Sequence, residues 1–280
     1  MPEFATPEPI SVTVELSVGE VRAVASDRTE TVVEVRPSAP HEKADVRAAE
    51  QTRVEYSNGA LLIRGPKFRN ALFGRIGSVD VLIELPAGSQ FRGDSDMGDF
   101  RAQGRLGECR LKTSMGDIHL DETARLQANT AAGNITVARA TGHAEVGTGS
   151  GDVRIGEIDG TAVLKNSNGE TRVSDVTGDI RVNSANGDIV LGRAHAGVNA
   201  KTANGDIRID EIIRDVVVLE TAVGELEVGI RKGSAAWLVL NTMTGQVHNS
   251  LTAADGPSGA EETVEVRARS YTGDIVVRRS

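Results

Sequence analysis

Apolar residues recur at every second position along most of this chain. Ile118-His119-Leu120, Val153-Arg154-Ile155, Ile189-Val190-Leu191 and Ile207-Arg208-Ile209 each set two aliphatic side chains on one side of an extended backbone. A period of two, rich in β-branched residues, predicts short strands that bury one face. Ile180-Arg181-Val182, Val198-Asn199-Ala200 and Leu238-Val239-Leu240 repeat the pattern half a cycle away.

Between the strands a turn string recurs. Ser95-Asp96-Met97-Gly98-Asp99-Phe100 returns as Thr113-Ser114-Met115-Gly116-Asp117-Ile118, as Ser184-Ala185-Asn186-Gly187-Asp188-Ile189 and in seven further copies. From Gly98 to Gly245 the glycine steps are 18, 17, 18, 18, 18, 18, 19 and 21, followed by 28 to Gly273. A weaker copy lies halfway, because Gly133, Gly142, Gly151, Gly160, Gly169, Gly178 and Gly187 are nine apart. Two short strands and two turns therefore fill each 18-residue unit. Such strands cannot bury an apolar face alone, so the units must stack. The preferred reading is an all-β, single-chain β-solenoid of ~18-residue coils, each with two short strands. Antiparallel meandering sheets would satisfy the same alternation.

Residues 1–92 are less regular. Val12–Leu16, Thr31–Val35, Ala60–Ile63 and Val79–Leu85 read as strands, and Ser38 to about Gln51 is a helix candidate, placed at 41–51. This region is expected to form a β-rich cap continuous with the solenoid of residues 93–280. Residues 252–263 read as a polar, Gly- and Pro-containing loop that delays the last coil.

These residues carry a family resemblance. The repeated Gly-Asp-Ile turn and strand units, led in by Val81-Leu82-Ile83-Glu84-Leu85-Pro86-Ala87-Gly88-Ser89, resemble the bacterial DUF4097 family of β-strand-repeat proteins, often labelled adhesins. The resemblance spans about Ile10 to Arg279. It implies a non-enzymatic β-solenoid with no catalytic residues to carry over. Related domains are often attached to membrane segments in envelope-stress proteins, and here the longest apolar run is about Ala235–Leu240, far short of a span.

Composition narrows the function classes. The 280 residues include 31 Lys and Arg against 40 Asp and Glu, for a net charge of −9, with the basic residues intermixed. Nucleic-acid binding needs concentrated basic surface, so that class is set aside. One cysteine makes no internal disulfide, and the N-terminus lacks a signal-peptide pattern, which points to the cytoplasm.

Each constellation has a bland and a sharp reading. The ladder Asp99, Asp117, Asn134, Asp152, Glu170, Asp188, Asp206, Glu225 stacks like charges at strand spacing and invites a cation. Calcium needs six to eight oxygens, and one acid per turn favours capping of backbone groups instead. No metal or cofactor is assigned. Arg154, Arg172 and Arg208 on one arm, with Arg181 on the other, should point outward and form the candidate binding surface, although mixed surface charge more often marks a solvated face. Cys109 takes an Ile position and is expected to be a buried small hydrophobe. Eight aromatics and no distinct acid–base cluster argue against a carbohydrate-active β-helix enzyme.

The expected function is therefore that of a non-catalytic scaffold or protein-interaction protein. A self-assembling protein that polymerises through solenoid ends is the alternative.

Overall fold

The computed structural model describes residues 2–66, 77–252 and 262–280. Most of the loop expected at 252–263 lies outside them. The chain divides into two compact units, Met1–Arg139 and Ala140–Ser280. Each is built as a parallel β-solenoid, which decides between the two arrangements that the alternation allowed.

The second unit shows the construction most clearly. Ile180–Asn186 lies parallel between Ala162–Asn168 and Val198–Asn204, and Ile189–Ala194 lies parallel between Thr171–Val176 and Ile207–Ile212. Register is kept residue for residue: Ile180 faces Ala162 and Val198, and Ile189 faces Thr171 and Ile207. Each coil therefore has a first arm and a second arm, and each arm stacks on its own kind. The inward positions Ile180, Val182, Ile189 and Leu191 are buried, while Arg181 is exposed. Apolar burial along these rows is the main source of cohesion, at about 25 cal/mol per Å² of apolar surface removed from water.

Turn glycines are required by the stacking itself. Gly187 has φ of 138°, and a Cβ there would stand 2.1 Å from the carbonyl oxygen of Gly169 in the coil below. Only glycine lets successive turns approach this closely.

In the first unit, Ser11–Ser26 is a complete coil. Its front half pairs with Gln90–Arg105 on one side and with Ala60–Arg64 on the other, and its back half pairs with Val79–Pro86. Gly19 matches Gly98 and Glu20 matches Asp99, so Ser17-Val18-Gly19-Glu20 is a further copy of the turn string. Beyond it the sheets end in antiparallel strands. Arg53–Ser57 closes the first arm against Ala60–Arg64, and Glu30–Pro37 with Glu3–Ala5 closes the second. One helix, Lys43–Gln51, lies beside these strands with Ala48 buried. Asp45 anchors it by accepting backbone N–H bonds from Ala39 and Ser78 at 3.0 and 2.9 Å.

The far end of the second unit departs from sequence order. Thr263–Thr272 pairs with Asp215–Val223 on one side and Ala235–Thr244 on the other, and Ile275–Arg279 lies between Leu226–Ile230 and Val247–Asn249. The final coil of the sequence is thus the penultimate coil of the stack. Ser11–Ser26 and the coil formed by Thr263–Thr272 and Ile275–Arg279 are both inner rungs, paired on two sides.

Candidate binding surfaces

The acidic ladder is a capping device. Oδ1 of Asp99 accepts from the backbone N–H of Asp117 at 2.9 Å, and Asp117 does the same for Asn134 at 2.7 Å. In the second unit Asp152 caps Glu170, Asp188 caps Asp206 and Asp206 caps Glu225, at 2.9, 2.9 and 2.7 Å. Each carboxylate satisfies the next coil rather than its own turn, a longer reach than local turn bonding. Three positions before the glycine, a buried hydroxyl or amide completes the turn in several coils, while the Ser95 and Ser184 hydroxyls have no partner. Thr130 donates to the Gly116 carbonyl, Thr202 to that of Gly187 and Thr221 to that of Gly205, at 3.1, 3.3 and 3.0 Å. Asn166 Nδ2 plays this part toward the Gly151 carbonyl at 3.1 Å. Among the described residues, no group of three or more His, Cys, Asp or Glu stands where it could hold a metal ion.

The candidate arginines divide. Arg154 and Arg172 are direct neighbours on adjacent coils, Val190 follows, and Arg208 stands beyond it. Arg181 lies on the other arm between Val163 and Asn199. The first three are half-exposed, and each is bound to an acid of its own coil: Asp152 for Arg154 at 2.8 Å, Glu170 for Arg172 and Asp210 for Arg208 at 2.7 Å. The Asp210 bond, with the charges of Glu227 and Asp210, raises the Arg208 pKa further. This row is neutralised from within.

A second ion ladder escaped sequence reasoning. Arg193 bridges Asp175 of the coil below at 3.1 Å and Glu211 of the coil above at 3.3 Å. The alternation of sign at 18-residue spacing was present in the sequence. Asn168, Asn186 and Asn204 form an amide ladder with Nδ2 to Oδ1 distances of 3.0 and 2.9 Å. Cys109 is buried, and desolvation pushes its thiol up to about 11, which suppresses the reactive thiolate. Glu20 is held below the ordinary carboxylate value by its bond to Arg22. Glu211 is held low by the Ser280 hydroxyl and then Arg193. Both are stabilised as anions, the opposite of a general acid.

Exposed apolar side chains gather in one place. Of nine large hydrophobic residues exposed among those described, Met97 and Met115 lie in the first unit. The other seven, Val216, Val223, Trp237, Val239, Met243, Val247 and Tyr271, belong to the last coils of the second. Trp237 is 71% exposed and Met243 66%. The terminal strand Ala235–Thr244 carries three of them, and Tyr271 lies on the neighbouring strand, Thr263–Thr272. Clustering of this kind marks an interaction surface more often than scattered apolar residues do.

The stacked two-arm coils and their capped glycine turns define a parallel β-solenoid repeat protein. The chain belongs to the Toastrack DUF4097 family, which it matches over residues 10–278. No curated protein matches it. Solved structures similar along its whole length include a provisionally named lipid-binding protein from Parabacteroides distasonis, 11% identical, covering 100% of this chain and 96% of that one at a TM-score of 0.43. A provisionally named adhesin from Bacteroides fragilis is 14% identical, with 99% and 95% covered and a TM-score of 0.38. A provisionally named cell-adhesion protein from Clostridium sporogenes is 13% identical, with 100% and 99% covered and a TM-score of 0.24.

Proposed function

We propose that the protein is a non-catalytic β-repeat docking module whose working surface is the terminal coil Ala235–Asn249. The concentration of exposed apolar residues on the last coils carries this reading. Ion pairs within single coils occupy the arginine row, which leaves it poorly suited to hold an anionic partner. The end coil has unsatisfied surface of the kind that drives association: an indole, aliphatic side chains and a strand edge.

The test places a photo-cross-linking amino acid at Trp237 and, separately, at Arg172, in the native host. Cross-links to a protein at position 237 and few at 172 support docking at the end coil. Capture at 172 alone would overturn it.

A further inference from the structure

The two units end differently. In the first, the outermost strands are short: Arg53–Ser57 has five residues and presents Arg53 and Glu55, and Glu3–Ala5 has three. Short charged edges resist pairing with other chains. In the second unit Ala235–Thr244 runs for ten residues and pairs with Thr263–Thr272. Among the described residues no strand pairs with its other edge. Its sequence, AAWLVLNTMT, holds no charge, whereas every other first-arm strand of that unit holds at least one, from Glu145, Lys165, Arg181 and Lys201 to Glu220 and Arg267. The core behind it is open as well. Ala236, Leu238, Leu240 and Thr242 are half-buried, while their partners Val264, Val266, Ala268 and Ser270 one coil below are buried.

We propose that this edge pairs with the same edge of a second copy, the two strands running antiparallel about a two-fold axis at Leu240. The proposal rests on the docking reading above and names its occupant. Ala235–Thr244 holds no charge, so no like charges can be opposed across a two-fold at any register of this edge. Inward and outward faces must match across the new ladder, so the residue numbers of opposed positions sum to an even value. Centring on Leu240 satisfies that rule, sets Trp237 opposite Met243 of the second copy and Val239 opposite Asn241, and extends both cores. Sulfur against an aromatic ring is a favourable pair. Because each copy spends the one long free edge found among its described residues, the assembly closes at two and does not grow into a fibre.

Sedimentation equilibrium of the purified full chain at micromolar concentrations tests this. The expected mass is twice that of one chain and falls on dilution. In a Val239→Lys, Asn241→Lys double variant, lysines face each other across the axis, and dimerisation should weaken by roughly tenfold or more with an unchanged circular dichroism spectrum and, at concentrations where both chains are monomeric, an unchanged melting curve. Leu240→Cys should oxidise to a disulfide-linked dimer. A chain that stays monomeric at hundreds of micromolar, a mass that climbs past two copies, or a dimer indifferent to the double substitution overturns the proposal. The cross-linking at position 237 is read separately. A monomeric chain that still captures another protein there leaves docking standing while self-pairing falls.

Discussion

Asp274 Oδ1 accepts a hydrogen bond from the backbone N–H of Gln246 at 2.8 Å, although Gln246 precedes it by 28 residues. Everywhere else in the ladder the capping aspartate comes first in the sequence, as Asp188 precedes Asp206. The direction of capping through the stack is unchanged, so the order of the coils has been exchanged. Ser270 donating to the Gly224 carbonyl and Thr242 to that of Gly273, at 3.1 and 2.8 Å, repeat the exchange on the inner side of the turn. The turn chemistry is indifferent to chain connectivity. Any coil with Gly followed by Asp offers the same two acceptors to whatever lies above it.

Aspartate should therefore be specifically required at these turns. Asp188→Ala removes the acceptor for the Asp206 N–H, and because the site is solvent-exposed the expected loss is modest, about 1 kcal/mol. Asp188→Asn keeps an oxygen at the same reach and should cost less than half as much. Asp188→Glu keeps the charge but adds a methylene that moves the carboxylate off the Asp206 N–H, and should fall between the asparagine and alanine variants. Equilibrium urea denaturation ranks the three, and equal losses for Asn and Ala would remove the capping explanation.

Inward and outward positions separate sharply on the second arm. Ile189→Asp buries a charge with no partner and should cost about 4 kcal/mol or more, abolishing the cooperative transition of neighbouring coils. Arg208→Asp loses exposed pairs with Asp210 and Glu227 and adds some repulsion, all screened by solvent, so its cost should be far smaller. Similar melting temperatures for the two variants would contradict the register.

The coil period and the facing of each strand were legible because both are local. Phe100 and Cys109 stand inward, as alignment to the isoleucine positions requires, and both are buried. The turn at Ser17-Val18-Gly19-Glu20 was equally written in the sequence, and its likeness to Thr221-Ala222-Val223-Gly224-Glu225 is close. It was obscured by its distance from the next copy, since residues 27–89 intervene. The coil exchange was not legible. A 28-residue glycine step reads as a delayed coil whether the late segment lands outside its predecessor or beneath it. Ile275–Arg279 comes last in the sequence, yet it lies between two other strands.

Acid should weaken the second unit partly through Glu211. The Ser280 hydroxyl donates to it at 2.7 Å, and with Arg193 this bond holds the folded-state carboxyl below its ordinary value of 4.5. A depressed folded pKa contributes stability that is complete above the unfolded value and is lost as pH falls through the folded one. Glu211→Gln should therefore be less stable than the parent at neutral pH, with the gap narrowing below about pH 4.5. Denaturation midpoints measured from neutral to acid pH check the sign. A gap that stays constant, or widens in acid, would show that Glu211 titrates normally in the folded chain.

Hydrogen exchange can read the coil order directly. In simple sequence order Thr263–Thr272 would be the outermost first-arm strand, and Ala235–Thr244 would be an inner one. The observed order places Thr263–Thr272 between two partners and leaves Ala235–Thr244 with one. Amides hydrogen-bonded inside a stack open only with the surrounding structure, whereas an edge strand opens alone. The Val239→Lys, Asn241→Lys variant is the right material, since pairing between copies would shield the edge. There, peptides covering 263–272 should exchange as slowly as those covering Asp215–Val223, despite lying next to the C-terminus. Peptides covering 235–244 should exchange far sooner. The reverse ranking would return the final coil to the end of the stack and with it remove the free edge on which docking depends.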